Sequence, residues 1–247
     1  LSISLNIGHQ EIDIQKHQGK IAMNRPPILG YGEDALTLWA LSEKLTEILE
    51  PDDSINNPLC KIIYRPSFGK DKNYGFGEFD FIILSDNFVY LGESKWDNTP
   101  HEEQNESLKK LEGNQQNRHF VFQAYLDSSY ETNPKGISNW QTLSQKVNQK
   151  LEKILYTNVD ENKNKKEYHK YACKTNSLLY CNLARILKSI HEIYPERPTI
   201  INRIIFFNAS NKNNFTQTPK FEIISVNYSN IIDASKKDYF FELRTGN

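Results

Sequence analysis

Apolar residues at three- and four-residue steps predict the first helix. Leu38, Leu41, Leu45 and Ile48 recur on one side of a segment that opens at Glu33-Asp34 and closes at Pro51. Acidic residues in a first turn suit the positive end of the helix dipole, and Gly30-Tyr31-Gly32 leads into it. A strand follows over 60–64, stopped by Pro66, and 67–76 reads as a loop with glycine and lysine. The period then becomes two. Residues 77–84 and 88–96 are strand-like, and the Ser85-Asp86-Asn87 between them has turn composition, so the pair predicts a β-hairpin. With Asp86-Asn87 as the two-residue turn, Asp80 falls opposite Glu93. Alternation then puts Glu78, Asp80, Ile82 and Leu84 on one face, joined across the ladder by Val89, Leu91, Glu93 and Lys95. That face is apolar near the turn and charged at its open end.

After Pro100 a long helix is predicted over 102–127. Its inward stripe runs Leu108, Leu111, Gln115, Arg118 or His119, Phe122 and Tyr125. The polar break in mid-stripe is expected either to face a wet cavity at the hairpin's charged end or to be turned out to solvent. Further helices are expected over 138–156 and 177–193, and strands over 200–207 and 221–226. Residues 1–28, with Pro26-Pro27, read as an arm or short strands. Strands, helices and strands again predict one α/β domain over 1–247, a mixed sheet flanked by helices with a helical insertion at 135–193.

Composition narrows the class. With 247 residues, 38% hydrophobic and 25% charged, the chain has the make-up of an ordinary globular protein. Its longest apolar runs, such as Ile204-Ile205-Phe206-Phe207, are too short to span a bilayer, so no membrane partner is expected. Cys60, Cys173 and Cys181 lack paired metal-ligand spacing and fit reduced thiols, and no signal segment is read, so a cytoplasmic location is expected. The six histidines show no regular ligand spacing, which leaves no zinc site to propose. Net charge is only −1, but it is unevenly spread. Acidic residues dominate from Glu33 to Asp53, and basic ones from Lys135 to Arg185. Such asymmetry allows a cation-binding region and a separate phosphate-binding surface. A solvated face of ordinary lysines explains much of the basic stretch equally well.

Two carboxylates and a lysine converging at one end of a hairpin suit a divalent cation and a water held beside a phosphate. The order Asp80, twelve residues, then Glu93-Ser94-Lys95 resembles the PD-(D/E)xK nuclease superfamily, with a restriction-endonuclease-like fold. Phe79 stands where that family often has proline. The resemblance covers roughly residues 30–126. It implies a Mg²⁺-dependent DNA endonuclease, type II-like restriction or defence, in which Mn²⁺ can substitute and a homodimer is possible. It also implies roles: Asp80, Glu93 and the Ser94 carbonyl as metal ligands, Lys95 at the attacking water, and Glu33 completing the site. Asp34 competes with Glu33, and Glu78 is either a supporting ligand or an ion-pair partner of Lys95. By the same likeness Gln115, Gln116 and His119 become supporting or phosphate contacts. The densest lysine cluster, Lys163, Lys165 and Lys166 with Lys170 and Lys174, is expected to meet DNA phosphates. Two other readings use the same residues: a structure-specific repair or recombination nuclease, and a non-catalytic nucleic-acid- or partner-binding protein on this fold.

Overall fold

The computed structural model describes residues 28–68, 70–71, 74–75, 77–97, 101–132, 139–156, 178–209, 220–229, 231 and 240–243. The arm at 1–27 and the lysine cluster Lys163, Lys165, Lys166, Lys170 and Lys174 lie outside them. A five-stranded mixed sheet is the frame. Its strands are β2 (Lys61–Tyr64), β5 (Phe81–Leu84), β6 (Phe88–Trp96), β7 (Thr199–Asn208) and β8 (Glu222–Asn227), which lie side by side in that order. The first three run antiparallel, and β6–β7 and β7–β8 are parallel. Two small antiparallel pairs lie outside it: β1 (Ile28–Tyr31) with β9 (Phe240–Leu243), and β3 (Lys70–Asp71) with β4 (Tyr74–Gly75).

Helices cover both faces. On one side lie α1 (Gly32–Glu43) and the single turn α2 (Leu45–Ile48). Leu36, Trp39, Ala40 and Ile48 pack there against Phe81, Ile83, Tyr90 and Ile205. On the other side lie α3 (His101–Thr132), α4 (Trp140–Tyr156) and α5 (Leu178–Ile193). Phe122 and Tyr125 of α3, Val147 of α4 and Leu187 of α5 share one core with Ile82, Leu84, Val89 and Leu91. The helices within 135–193 are therefore part of the main core layer. Each fully buried Phe or Leu in these layers contributes about 1.5–3 kcal/mol.

The first helix differs from its expected stripe. Residues 35–41 are apolar at almost every position, so the sequence admits several rotations of the helix. The buried side carries Ala35, Leu36, Thr37, Trp39, Ala40 and Leu41, while Leu38 is exposed. The helix also breaks at Lys44, whose backbone leaves the helical region, so Leu45 and Ile48 belong to a separate turn. Gly32, at φ +62°, is where the chain reverses from β1 into α1, a conformation that suits glycine.

The hairpin has the expected register. Phe81 faces Gly92 and Leu84 faces Val89, and Ser85 N–H donates to the Phe88 carbonyl around the turn. The β5–β6 ladder begins at Phe81, however, with Glu78 bridged singly to Ser67, and the alternation expected upstream fails. Gly77, at φ +87°, turns the chain, and a Cβ there would come within 2.6 Å of the Arg118 guanidinium. Phe79 drops into the α3-side core, ringed by Phe68, Phe122 and His119, instead of following Phe81 to the other face. Glu78 leaves the face it was expected to share with Asp80 and pairs with Arg65 at 3.0 Å.

Candidate active site

The site forms where β5 stops short of β6. Glu93, Ser94 and Lys95 continue along β6, paired on their far side with β7, after β5 has ended. Asp80 fills the gap. Its backbone N–H donates to the Gly92 carbonyl and its Oδ2 accepts the Ser94 N–H at 2.7 Å. The carboxylate thus satisfies an amide that the ladder has abandoned. Strand alternation turns the Ser94 carbonyl toward the same side. The Ser94 hydroxyl accepts from Thr37 of α1 at 2.8 Å, tying the strand to the helix that carries Glu33.

Glu33 sits against Lys95, with 3.8 Å between Oε1 and Nζ, and the Trp96 N–H bonds to its carboxylate. Asp34 points elsewhere, paired with Arg65 at 2.5 Å. The exposed position of Leu38 and the outward turn of Asp34 have one cause, the rotation of α1. Arg65, itself at φ +46°, holds both Asp34 and Glu78 outside the site.

Charge is concentrated among the remaining acids. Burial pushes the Asp80 carboxyl up to about 7, and the neighbouring Glu93 and Glu33 charges add to this, against the Ser94 N–H and Lys95. Burial also raises Glu33, countered first by Lys95. Asp80 is therefore held half-protonated near neutrality, in a place where one more positive charge would be stabilising.

Glu93, 1% exposed, points from the other face of β6 into α3. Its Oε1 accepts from Arg118 at 2.9 Å and lies 3.4 Å from His119 Nε2, and its Oε2 accepts from Gln115 at 2.9 Å. The polar break in the α3 stripe is thus where the buried carboxylate lies. His119 is 2.7 Å from Asn202 Oδ1 through its other ring nitrogen, and Gln123 donates to the same oxygen at 3.2 Å. Gln116 lies outside this group and accepts from Lys220 at 2.9 Å. Arg118, Asn202 and Arg65 were not singled out as site residues in the sequence. Arg118 stands in the same polar run as Gln115 and His119, which was its available signal, whereas the other two had none.

Among the described residues no group of three or more His, Cys, Asp or Glu side chains is arranged to hold a metal ion. The cause is visible in the partners: Glu93 is turned to α3 while Asp80 and Glu33 face the sheet end. The donor set nevertheless suits a hard cation, being carboxylate oxygens with a carbonyl beside them. Two buried polar atoms next to Glu93, Gln115 Oε1 and Arg118 Nε, have no hydrogen-bond partner.

No helix among the described residues is long and apolar enough to cross a membrane. No protein-family model, no curated protein and no solved structure matches this chain, so the site is read from its own residues.

Proposed function

We propose that the protein is a Mg²⁺-dependent DNA endonuclease of restriction-endonuclease-like fold, a type II-like restriction or defence enzyme. The observation that carries this reading is the junction of Asp80, Glu33 and Lys95 at one end of the sheet, with Glu93 one residue from Ser94. Asp80, Glu93, the Ser94 carbonyl and Glu33 would hold the cation, which supplies a Lewis acid and a more acidic bound water. Lys95 lies beside these acids with an ammonium able to orient a water and offset charge growing on a phosphate. Thr37 and the Ser94 N–H fix the strand so that these groups keep their spacing. Gln115 and His119 orient Glu93, and Gln116, which accepts from Lys220, is the proposed phosphate contact.

The test is incubation with plasmid, linear and single-stranded DNA plus Mg²⁺ or Mn²⁺, with the ends sequenced afterwards. Cleavage that persists in excess chelator removes the proposal. Discrete double-strand cuts at a repeated sequence support restriction, and cuts confined to branched or nicked DNA favour repair. For the lysine cluster, replacing Lys163, Lys165 and Lys166 with glutamine should weaken DNA binding and flatten its salt dependence, leaving the cut position unchanged.

The helix-start acid gives a sharper contrast. Glu33→Gln should slow cleavage by about 100-fold, on the scale of a lost electrostatic group in a catalytic site. Asp34→Asn should leave the rate within about twofold, because Asp34 is committed to Arg65 and surface pairs contribute little. Single-turnover rates of the two variants decide the assignment, and a slow Asp34→Asn beside a normal Glu33→Gln reverses it.

A further inference from the structure

The pairing of Glu93 is asymmetric. Among the described residues every hydrogen-bond partner of its carboxylate comes from α3, and the fixed full charge among them is Arg118. That guanidinium is well placed to stay. It donates to the Glu78 carbonyl as well as to Glu93 Oε1, and its plane lies 5.6 Å over the Phe79 ring. Gly77 lies beneath it at φ +87°, a conformation that suits glycine, and a Cβ there would press on the guanidinium. The fit is nevertheless incomplete: Arg118 Nε is buried without an acceptor, and Gln115 Oε1 is buried without a donor. A carboxylate 1% exposed must have a counter-charge, because burying it unpaired costs several kcal/mol.

We infer that Arg118 is a positioning residue that acts as the internal counter-ion of Glu93, and that it competes with the divalent cation for that carboxylate. This rests on the proposed metal-dependent chemistry. In the protein as it stands, strand alternation points Glu93 toward α3 with Val89 and Leu91, and Arg118 neutralises it there. Asp80 and Glu33 then share Lys95 and the Ser94 and Trp96 N–H groups as their partners. A cation that engages Asp80 and Glu93 together must take Glu93 from Arg118. Metal affinity is therefore set by the difference between the two counter-charges and is weaker than the carboxylates alone would give. The orphaned Gln115 oxygen lies beside Glu93.

The prediction is read directly as Mn²⁺ binding without DNA, by calorimetry and by loss of the free-ion electron paramagnetic signal. Arg118→Met keeps the packing over Phe79 and removes the charge. It should bind Mn²⁺ at least about tenfold more tightly than the natural protein, with a larger thermal shift on adding Mn²⁺. Arg118→Lys keeps the charge and should stay within about threefold of the natural protein. A further measurement avoids variant folding altogether. The Arg118 Nε–H resonance of the natural protein should move with Mg²⁺ along the same saturation curve as Mg²⁺ binding, and should stay still in Asp80→Asn.

Binding by Arg118→Met that is unchanged or weaker, in a protein whose Asp80→Asn variant loses Mn²⁺, overturns the competition and leaves the metal site standing. An unmoved Arg118 resonance in Mg²⁺-saturated protein does the same. Mn²⁺ binding absent from both the natural protein and Arg118→Met removes the metal-dependent reading together with the inference.

Discussion

Asp80→Asn should reduce cleavage by about four orders of magnitude, as expected for a group that acts as a unit with its partners, while making the folded protein more stable. The two effects share an origin. Asp80 is buried beside Glu93 and Glu33, so its carboxyl stays protonated up to about pH 7 in the folded chain. In the unfolded chain it ionises near its ordinary value. Between those two pH values the folded state binds more protons, so this residue's contribution to stability falls as pH rises through the window. Above pH 7 the cost is complete and amounts to about 2–4 kcal/mol at roughly 1.4 kcal/mol per pH unit. Asparagine carries no charge to bury, and its side-chain oxygen can still accept the Ser94 N–H. Urea midpoints should therefore rise in the variant at pH 8 and match the natural protein near pH 4. A variant less stable at pH 8 would show that the Asp80 charge is already compensated. At subsaturating Mg²⁺, binding of the cation should weaken as pH drops below 7, since it must displace the Asp80 proton.

Gly92→Ala should destabilise the fold by about 3 kcal/mol, an overpacking cost at the upper end of the usual range. A Cβ on Gly92 would fall within the ring of Phe81, its cross-strand partner, which is fully buried under α1. The ring is closed in by the α1-side core and has little freedom to move aside. The collision also lies immediately before Glu93, so the variant should lose cleavage even where enough of it stays folded. Pairing it with Phe81→Leu separates the causes, because a smaller side chain removes the clash and leaves the acids untouched. Chemical denaturation of the single and double variants should give a favourable coupling of at least about 1 kcal/mol. Independent, additive losses would mean that Gly92 is required for its backbone and not for its missing side chain.

The hairpin could be read from the chain because its information is local. Turn residues at Asp86-Asn87 set the register that pairs Leu84 with Val89 and Phe81 with Gly92, where the ladder ends and Asp80 bonds to the Gly92 carbonyl and the Ser94 N–H. The helices after it were equally clear, since Trp140, Leu143, Val147 and Leu151 have one spacing and one buried side. Failures occur where tertiary contacts choose among locally equivalent options. The run from Ala35 to Leu41 suits several rotations, and packing on the sheet selected the one that exposes Leu38 and sends Asp34 to Arg65. Upstream of Phe81 the period of two carried no warning that Gly77 turns the chain and that Phe79 belongs to α3. β9 was missed because its four residues pair with a strand from the far side of the chain, a partner that no local pattern names. Within the site, alternation put Glu93 on the face of Val89 and Leu91, where α3 packs, but its pairing with Arg118 was not readable, because only the folded helix brings that residue near.

The β1–β9 ladder has a consequence for how the protein is made. Ile28 to Tyr31 run straight into α1, and their hydrogen-bonded partners, Phe240 to Leu243, are translated after every other described element. A ribosome making the chain finishes the hairpin, α3 and the sheet before the strand that clamps the start of the Glu33 helix exists. Closing so long a loop is slow, because its entropy is lost before the contacts form. The Asp80–Glu93 end of the site is thus built early, and the Glu33 end is locked only after β9 has been made. A nascent chain that lacks β9 carries Asp80, Glu93 and Glu33 without the last strand that fastens the start of α1.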